Sequence, residues 1–258
     1  MNPAIKLSQA AVDAFSRENE VHKIYTFGSI NTGKSDAYSD VDLTVVSYDP
    51  AHTCARLTHT LSSIGAAEAV YVIFETRDSA AYTVMLDSQS PFQKIDLGIV
   101  GAVRPLEMFE NSKCVYSSTK LLKAGNKPIR SLGISETDNQ LLDCLLGSVR
   151  YLKHVHRGET WSAYKFYRGF MDQYMRLDIG IDDSRKLSLE DFKALDARRK
   201  FPTDMIFNAS QAEMHATFIT YLEKYVEAFS EKVDISKQCN NYAHKIVGFW
   251  HEQIERIS

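Results

Sequence analysis

Ile24-Tyr25-Thr26-Phe27-Gly28-Ser29, a polar loop through Ser39, and then Asp40-Val41-Asp42-Leu43-Thr44-Val45-Val46-Ser47 form the stretch on which the reading of this chain turns. Both ends are β-branched and aromatic runs of strand character. Two readings compete for the loop between them. Gly28 to Ser35 spells G-S-I-N-T-G-K-S, which satisfies the phosphate-binding loop pattern GxxxxGK[ST]. That loop works only if a helix begins at its lysine, because helix N-terminal and successive backbone N–H groups hold the phosphates. After Lys34 the chain reads Ser-Asp-Ala-Tyr-Ser-Asp and enters the run Val41–Ser47, which favours a strand. A P-loop NTPase or kinase is therefore the lesser alternative.

The second reading makes the glycine a turn between two strands. The two-residue period of a strand puts Asp40 and Asp42 on one face of a sheet. Like charges at that spacing repel unless a cation holds them. Mg²⁺ suits the position, since it takes few protein carboxylates and completes its shell with water and phosphate oxygens. Gly28 lets backbone approach a phosphate closely, and the Ser29 hydroxyl can donate to a phosphate oxygen. A third acid on a neighbouring strand would complete a two-metal clamp. Asp96, in Gln93-Lys94-Ile95-Asp96-Leu97, is the candidate.

Outward from this segment, strands are expected at 24–27, 41–47, 69–74, 82–86 and 95–100, with helices at 4–19 and 52–64. The first helix would bury Ile5, Ala11, Ala14 and Phe15; the second Leu57, Leu61 and Ile64. Beyond Lys127-Pro128 helical periodicity takes over, at about 136–157, 161–178, 188–199, 210–233 and 237–256. The expected division is 1–125 and 126–258. Of 258 residues 44% are hydrophobic and 24% charged, which excludes disorder, and no apolar run is long enough to span a bilayer. The N-terminus lacks the apolar centre of a secretory signal, so a cytoplasmic location is expected. The net charge of -3 counts against a nucleic-acid footprint. Residues 1–125 hold 11 Lys+Arg against 14 Asp+Glu, so they carry the whole negative excess. Four cysteines without paired spacing are expected to be buried thiols.

The pairing of Gly28-Ser29 with Asp40-x-Asp42 resembles the signature of the nucleotidyltransferase superfamily, whose fold is that of DNA polymerase β. The longer stretch FGSINTGKSDAYSDVDL is similar to the lincosamide and aminoglycoside antibiotic nucleotidyltransferases. Asn139–Glu159 and KLSLEDF at 186–192 have comparable character. The resemblance implies a mixed α/β (α+β) nucleotidyltransferase domain followed by an all-α helical bundle that contributes to an acceptor pocket. It makes Asp40, Asp42 and Asp96 metal ligands and catalytic acids. Glu107 would be the catalytic glutamate that follows the third acid, although Gly98-Ile-Val-Gly-Ala-Val-Arg-Pro105 departs from the family pattern. It implies two Mg²⁺ ions, a nucleoside triphosphate co-substrate, a small hydroxylated acceptor such as an antibiotic, and a homodimer. A protein or RNA acceptor, or a non-catalytic nucleotide-binding module, is the alternative within the fold.

In the helical half, Arg150, Lys153 and Arg157 share one helix face, and Lys165, Arg168, Asp172 and Arg176 another. Such stripes are ordinarily solvated faces. The functional expectation is that Lys165, after Trp161 and Tyr164, reaches the triphosphate, joining Gly28 and Ser29 as nucleotide-binding residues. Tyr151, Phe166, Tyr167, Phe170 and Tyr174 read as core.

Overall fold

The computed structural model describes residues 2–103, 112–120, 122–125, 127–179, 210–232 and 234–257. The chain divides into two compact units, Met1–Ser135 and Glu136–Ser258. The first contains Ile129, Leu132 and Ile134 because they pack against its hydrophobic core.

The first unit opens with α1 (Pro3–Ser16). The Asn2 side chain accepts from the Ala4 N–H at 2.9 Å and Pro3 sits in the first turn, so the helix start is capped. Ala4, Leu7, Ala11 and Phe15 form its buried face, whereas Ile5, expected there, is 41% exposed. β1 (Val21–Thr26) follows, then a single turn of helix, α2 (Gly28–Asn31), where a loop was expected. β2 spans Val41–Ser47. The helix expected at 52–64 is two short pieces, α3 (Pro50–Ala55) and α4 (Leu57–Leu61), separated at Arg56, whose backbone (φ -99, ψ 2) leaves the helical region. β3 (Ala67–Glu75), β4 (Ser79–Leu86), β5 (Ile95–Gly101) and β6 (Lys113–Ser117) complete the sheet.

The strand order is β3-β4-β5-β2-β1-β6. Among the described strands β2 and β5 run parallel and every other neighbouring pair antiparallel. Val41, Leu43 and Val45 of β2 and Ile95, Leu97 and Ile99 of β5 are at most 1% exposed and share one core with α1 and α4. By the strand period, Asp42 and Asp96 therefore look out of the opposite face. Cys54 is buried and its thiol is pushed up to about 11, chiefly by burial, which keeps it unreactive. Cys114, expected to be buried, is exposed on β6, because β6 is an edge strand with most of its side chains in solvent.

The second unit contains α5 (Glu136–His156), α6 (Thr160–Ile179), α7 (Gln211–Lys232) and α8 (Lys237–Ile257). The helix expected at 188–199 lies outside the described residues. The unit's core is aromatic. Trp250, fully buried, stacks on Phe218 at 4.6 Å and on Tyr151 at 5.6 Å, and Phe170 stacks on Phe218 at 4.4 Å. The Trp250 indole donates to Ser148 Oγ at 3.0 Å, and Ser148 Oγ donates to the Leu145 carbonyl. Tyr151 Oη and His215 Nδ1 are 2.8 Å apart in the same core. Arg176, expected on a solvated stripe, is buried and donates from Nε to Asp172 at 2.8 Å. Among the described residues no helix is long and apolar enough to cross a membrane.

Candidate active site

The turn after β1 brings backbone against a carboxylate. Phe27 is extended, and Gly28 then enters the left-handed region at φ 72. A Cβ built on Gly28 would lie 2.1 Å from Asp42 Oδ2, so any side chain would collide with the acid. Positive φ and a missing Cβ are two independent reasons for glycine here. The turn is fixed from behind by Asn31, whose side chain donates to the Thr26 carbonyl and accepts from Thr26 Oγ1 at 2.7 Å.

The loop to β2 is organised around Asp36. Its carboxylate accepts from the Tyr38 N–H at 3.0 Å and from Ser39 Oγ at 2.8 Å, and its own N–H donates to Ser39 Oγ at 2.9 Å. Gln93 donates to the Ala37 carbonyl, and the Val41 N–H donates to the Lys94 carbonyl at 2.9 Å. These bonds tie the entrance of β5 to the entrance of β2. No helix begins at Lys34; residues 32–40 are turns and coil. The P-loop reading thus lacks the element that would hold its phosphates.

The parallel register pairs Asp42 with Asp96 directly, and the antiparallel register of β4 on β5 pairs Asp96 with Thr83. Thr83 Oγ1 donates to Asp96 Oδ1 at 2.5 Å. Lys94, only 3% exposed at its side chain, places its ammonium 2.9 Å from Asp40 Oδ2 and donates also to Asp96 Oδ2. Asp40 and Asp96 are themselves mostly covered, at 19% and 23%. Lys94 thus bridges two of the three predicted acids, and Gly28 abuts the third. Sequence reasoning that looked only for carboxylates missed Lys94 and Thr83. The signal for Lys94 was present: it stands two residues before Asp96, on the same face of a strand.

Of the other predicted residues, Ser29 is half-buried in α2. Lys165 is exposed on α6 in the second unit, with Nζ 5.8 Å from the Phe166 ring centroid. Trp161 and Tyr164 near it are exposed, at 85% and 41%, whereas Tyr151, Tyr167 and Phe170 are buried. Glu107 and the segment 186–192 lie outside the described residues.

The donor set is hard oxygen, which in kind fits a divalent cation such as Mg²⁺. The groups do not stand as a ready-made cage: among the described residues no three His, Cys, Asp or Glu are grouped closely enough to hold a metal ion. The space between Asp40 and Asp96 is occupied by the Lys94 ammonium.

Residues 9–90 match the family model described as polymerase beta, nucleotidyltransferase. The match takes in Gly28, Ser29, Asp40 and Asp42 and ends before Lys94 and Asp96. The first unit is accordingly a mixed α/β domain of the nucleotidyltransferase type, followed by a helical unit. No curated protein matches the sequence. Among solved structures, JHP933 from Helicobacter pylori is similar at 12% identity over 98% of this chain and 92% of that one, with a TM-score of 0.26. The STING-associated CdnE c-di-GMP synthase from Capnocytophaga granulosa is similar at 14% identity over 98% and 77%, with a TM-score of 0.25. Superpositions that loose carry no argument about substrate.

Proposed function

We propose that this protein is a Mg²⁺-dependent nucleotidyltransferase that moves a nucleoside monophosphate from a nucleoside triphosphate to a hydroxyl of a small molecule and releases pyrophosphate. The observation that carries this reading is the direct pairing of Asp42 with Asp96 on adjacent parallel strands, with the Gly28 backbone packed against the Asp42 carboxylate. Asp40, Asp42 and Asp96 would hold Mg²⁺, which when bound supplies charge neutralisation to the phosphates and the leaving pyrophosphate. Gly28 and Ser29 would present backbone and a hydroxyl to the triphosphate. Asp96 positions the acceptor hydroxyl and takes its proton. The acceptor's hydroxyl oxygen forms the new bond to the α-phosphorus as its proton passes to Asp96, and the bridging α–β P–O bond breaks with its electron pair leaving on pyrophosphate. Glu107 is the alternative proton acceptor. The resemblance of residues 27–43 to antibiotic-modifying enzymes favours an aminoglycoside- or lincosamide-like acceptor and a dimer.

The test is to incubate the protein with Mg²⁺, each of the four nucleoside triphosphates and a panel of hydroxylated antibiotics, and to look by mass spectrometry for a nucleotide adduct. Asp42→Asn should reduce pyrophosphate release by about a hundred- to thousandfold, as expected when a group that stabilises the transition state through the bound cation is lost, while circular dichroism stays unchanged. Full activity in Asp42→Asn would sink the site. Adducts found only on protein or RNA would move the acceptor to a macromolecule.

A further inference from the structure

We infer that Lys94 is an exchangeable internal counter-ion: its ammonium holds the site closed on Asp40 and Asp96 until a divalent cation displaces it. This rests on the metal-binding reading above and adds to it a competitor built into the chain.

The geometry is specific. A side chain 3% exposed ends between two carboxylates of different strand entrances, 2.9 Å from Asp40 Oδ2 and hydrogen-bonded to Asp96 Oδ2. The backbone at the same residue accepts from Val41, so Lys94 is anchored where β2 and β5 begin. Removing an ammonium from two partly buried acids would leave like charges facing each other in a medium of reduced dielectric, so the lysine compensates charge when no metal is bound. A divalent cation that binds Asp40 and Asp96 together must take the ammonium's place. Metal alone therefore works against an existing ion pair. Metal arriving with a triphosphate offers the released ammonium new anionic oxygens, so nucleotide should strengthen metal binding. Thr83 remains on Asp96 Oδ1 throughout and keeps that carboxylate oriented while its other oxygen changes partner.

The experiment titrates the metal-free full chain with Mn²⁺ and counts free ion by electron paramagnetic resonance, without nucleotide. Lys94→Met, which keeps the buried stem and removes the charge, should bind Mn²⁺ at least about tenfold more tightly than the unaltered protein. Equal or weaker binding by Lys94→Met overturns the inference while leaving the metal site standing. Absence of Mn²⁺ binding in both proteins overturns the inference and the metal-binding reading together. If Lys94→Met does not fold, the unaltered protein decides. Saturating Mn²⁺ should raise the acetylation rate of Lys94, followed by peptide mass spectrometry, several-fold. An unchanged rate refutes displacement.

Discussion

At Gly28 the chain trades a side chain for a carboxylate. Asp42 Oδ2 occupies the position its Cβ would take, and the backbone is left-handed there. Gly28→Ala must both strain φ and push the acid aside, since the obstacle is the acid at the centre of the site. The expected destabilisation is about 1–3 kcal/mol, seen as a lower urea midpoint. Activity should fall by more than that stability loss explains, measured at a temperature where the variant is fully folded. An active Gly28→Ala would show that Asp42 can move without consequence. Thr83 acts on the third acid differently, by donating a hydrogen bond, and a Thr83→Val change would leave Asp96 with one fewer donor.

At the scale of elements, what was readable in the sequence and what was not divide along physical lines. β2 and most of β5 were visible as apolar runs rich in Val and Ile because both strands are covered on the core face, with residues there at most 1% exposed. β6 was not, since an exposed edge strand of five residues leaves no apolar alternation to read. α2 is one turn of Gly-Ser-Ile-Asn, too short for periodicity, and the division of α3 from α4 depends on a single backbone conformation at Arg56. Asp40, Asp42 and Asp96 could be nominated from spacing, but the register that sets Asp42 against Asp96 is a long-range pairing that no local pattern encodes. A shift of one residue would have turned Asp96 to the other face. In the helical unit the aromatic core was legible, yet the bond from Trp250 to Ser148 between α8 and α5 was not. Ser148→Ala leaves that buried indole N–H without its acceptor. It should lower the unfolding free energy by about 1–3 kcal/mol, measured by urea titration.

Across the whole molecule, acid is the condition to which stability should be most sensitive. His215, buried beside Tyr151 with Nε2 lacking a hydrogen-bond partner, is held below its ordinary pKa by burial and then by His156. Burial likewise lowers His156 in the same unit and His22 in the first. A folded state that keeps imidazoles neutral binds fewer protons than the unfolded chain. Stability is therefore complete above about pH 6.5 and falls as pH drops below it towards the folded pKa values. His215→Phe should flatten the slope of unfolding free energy against pH, whatever it does to the level; an unchanged slope would assign the acid sensitivity elsewhere. The two tryptophans make such measurements selective. Trp161 is 85% exposed and Trp250 is fully enclosed, and both belong to the helical unit. Indole emission should accordingly contain a red solvent-like component and a blue apolar one, of which only the blue moves on unfolding. The first unit holds no tryptophan, so its unfolding must be followed through tyrosine or backbone dichroism.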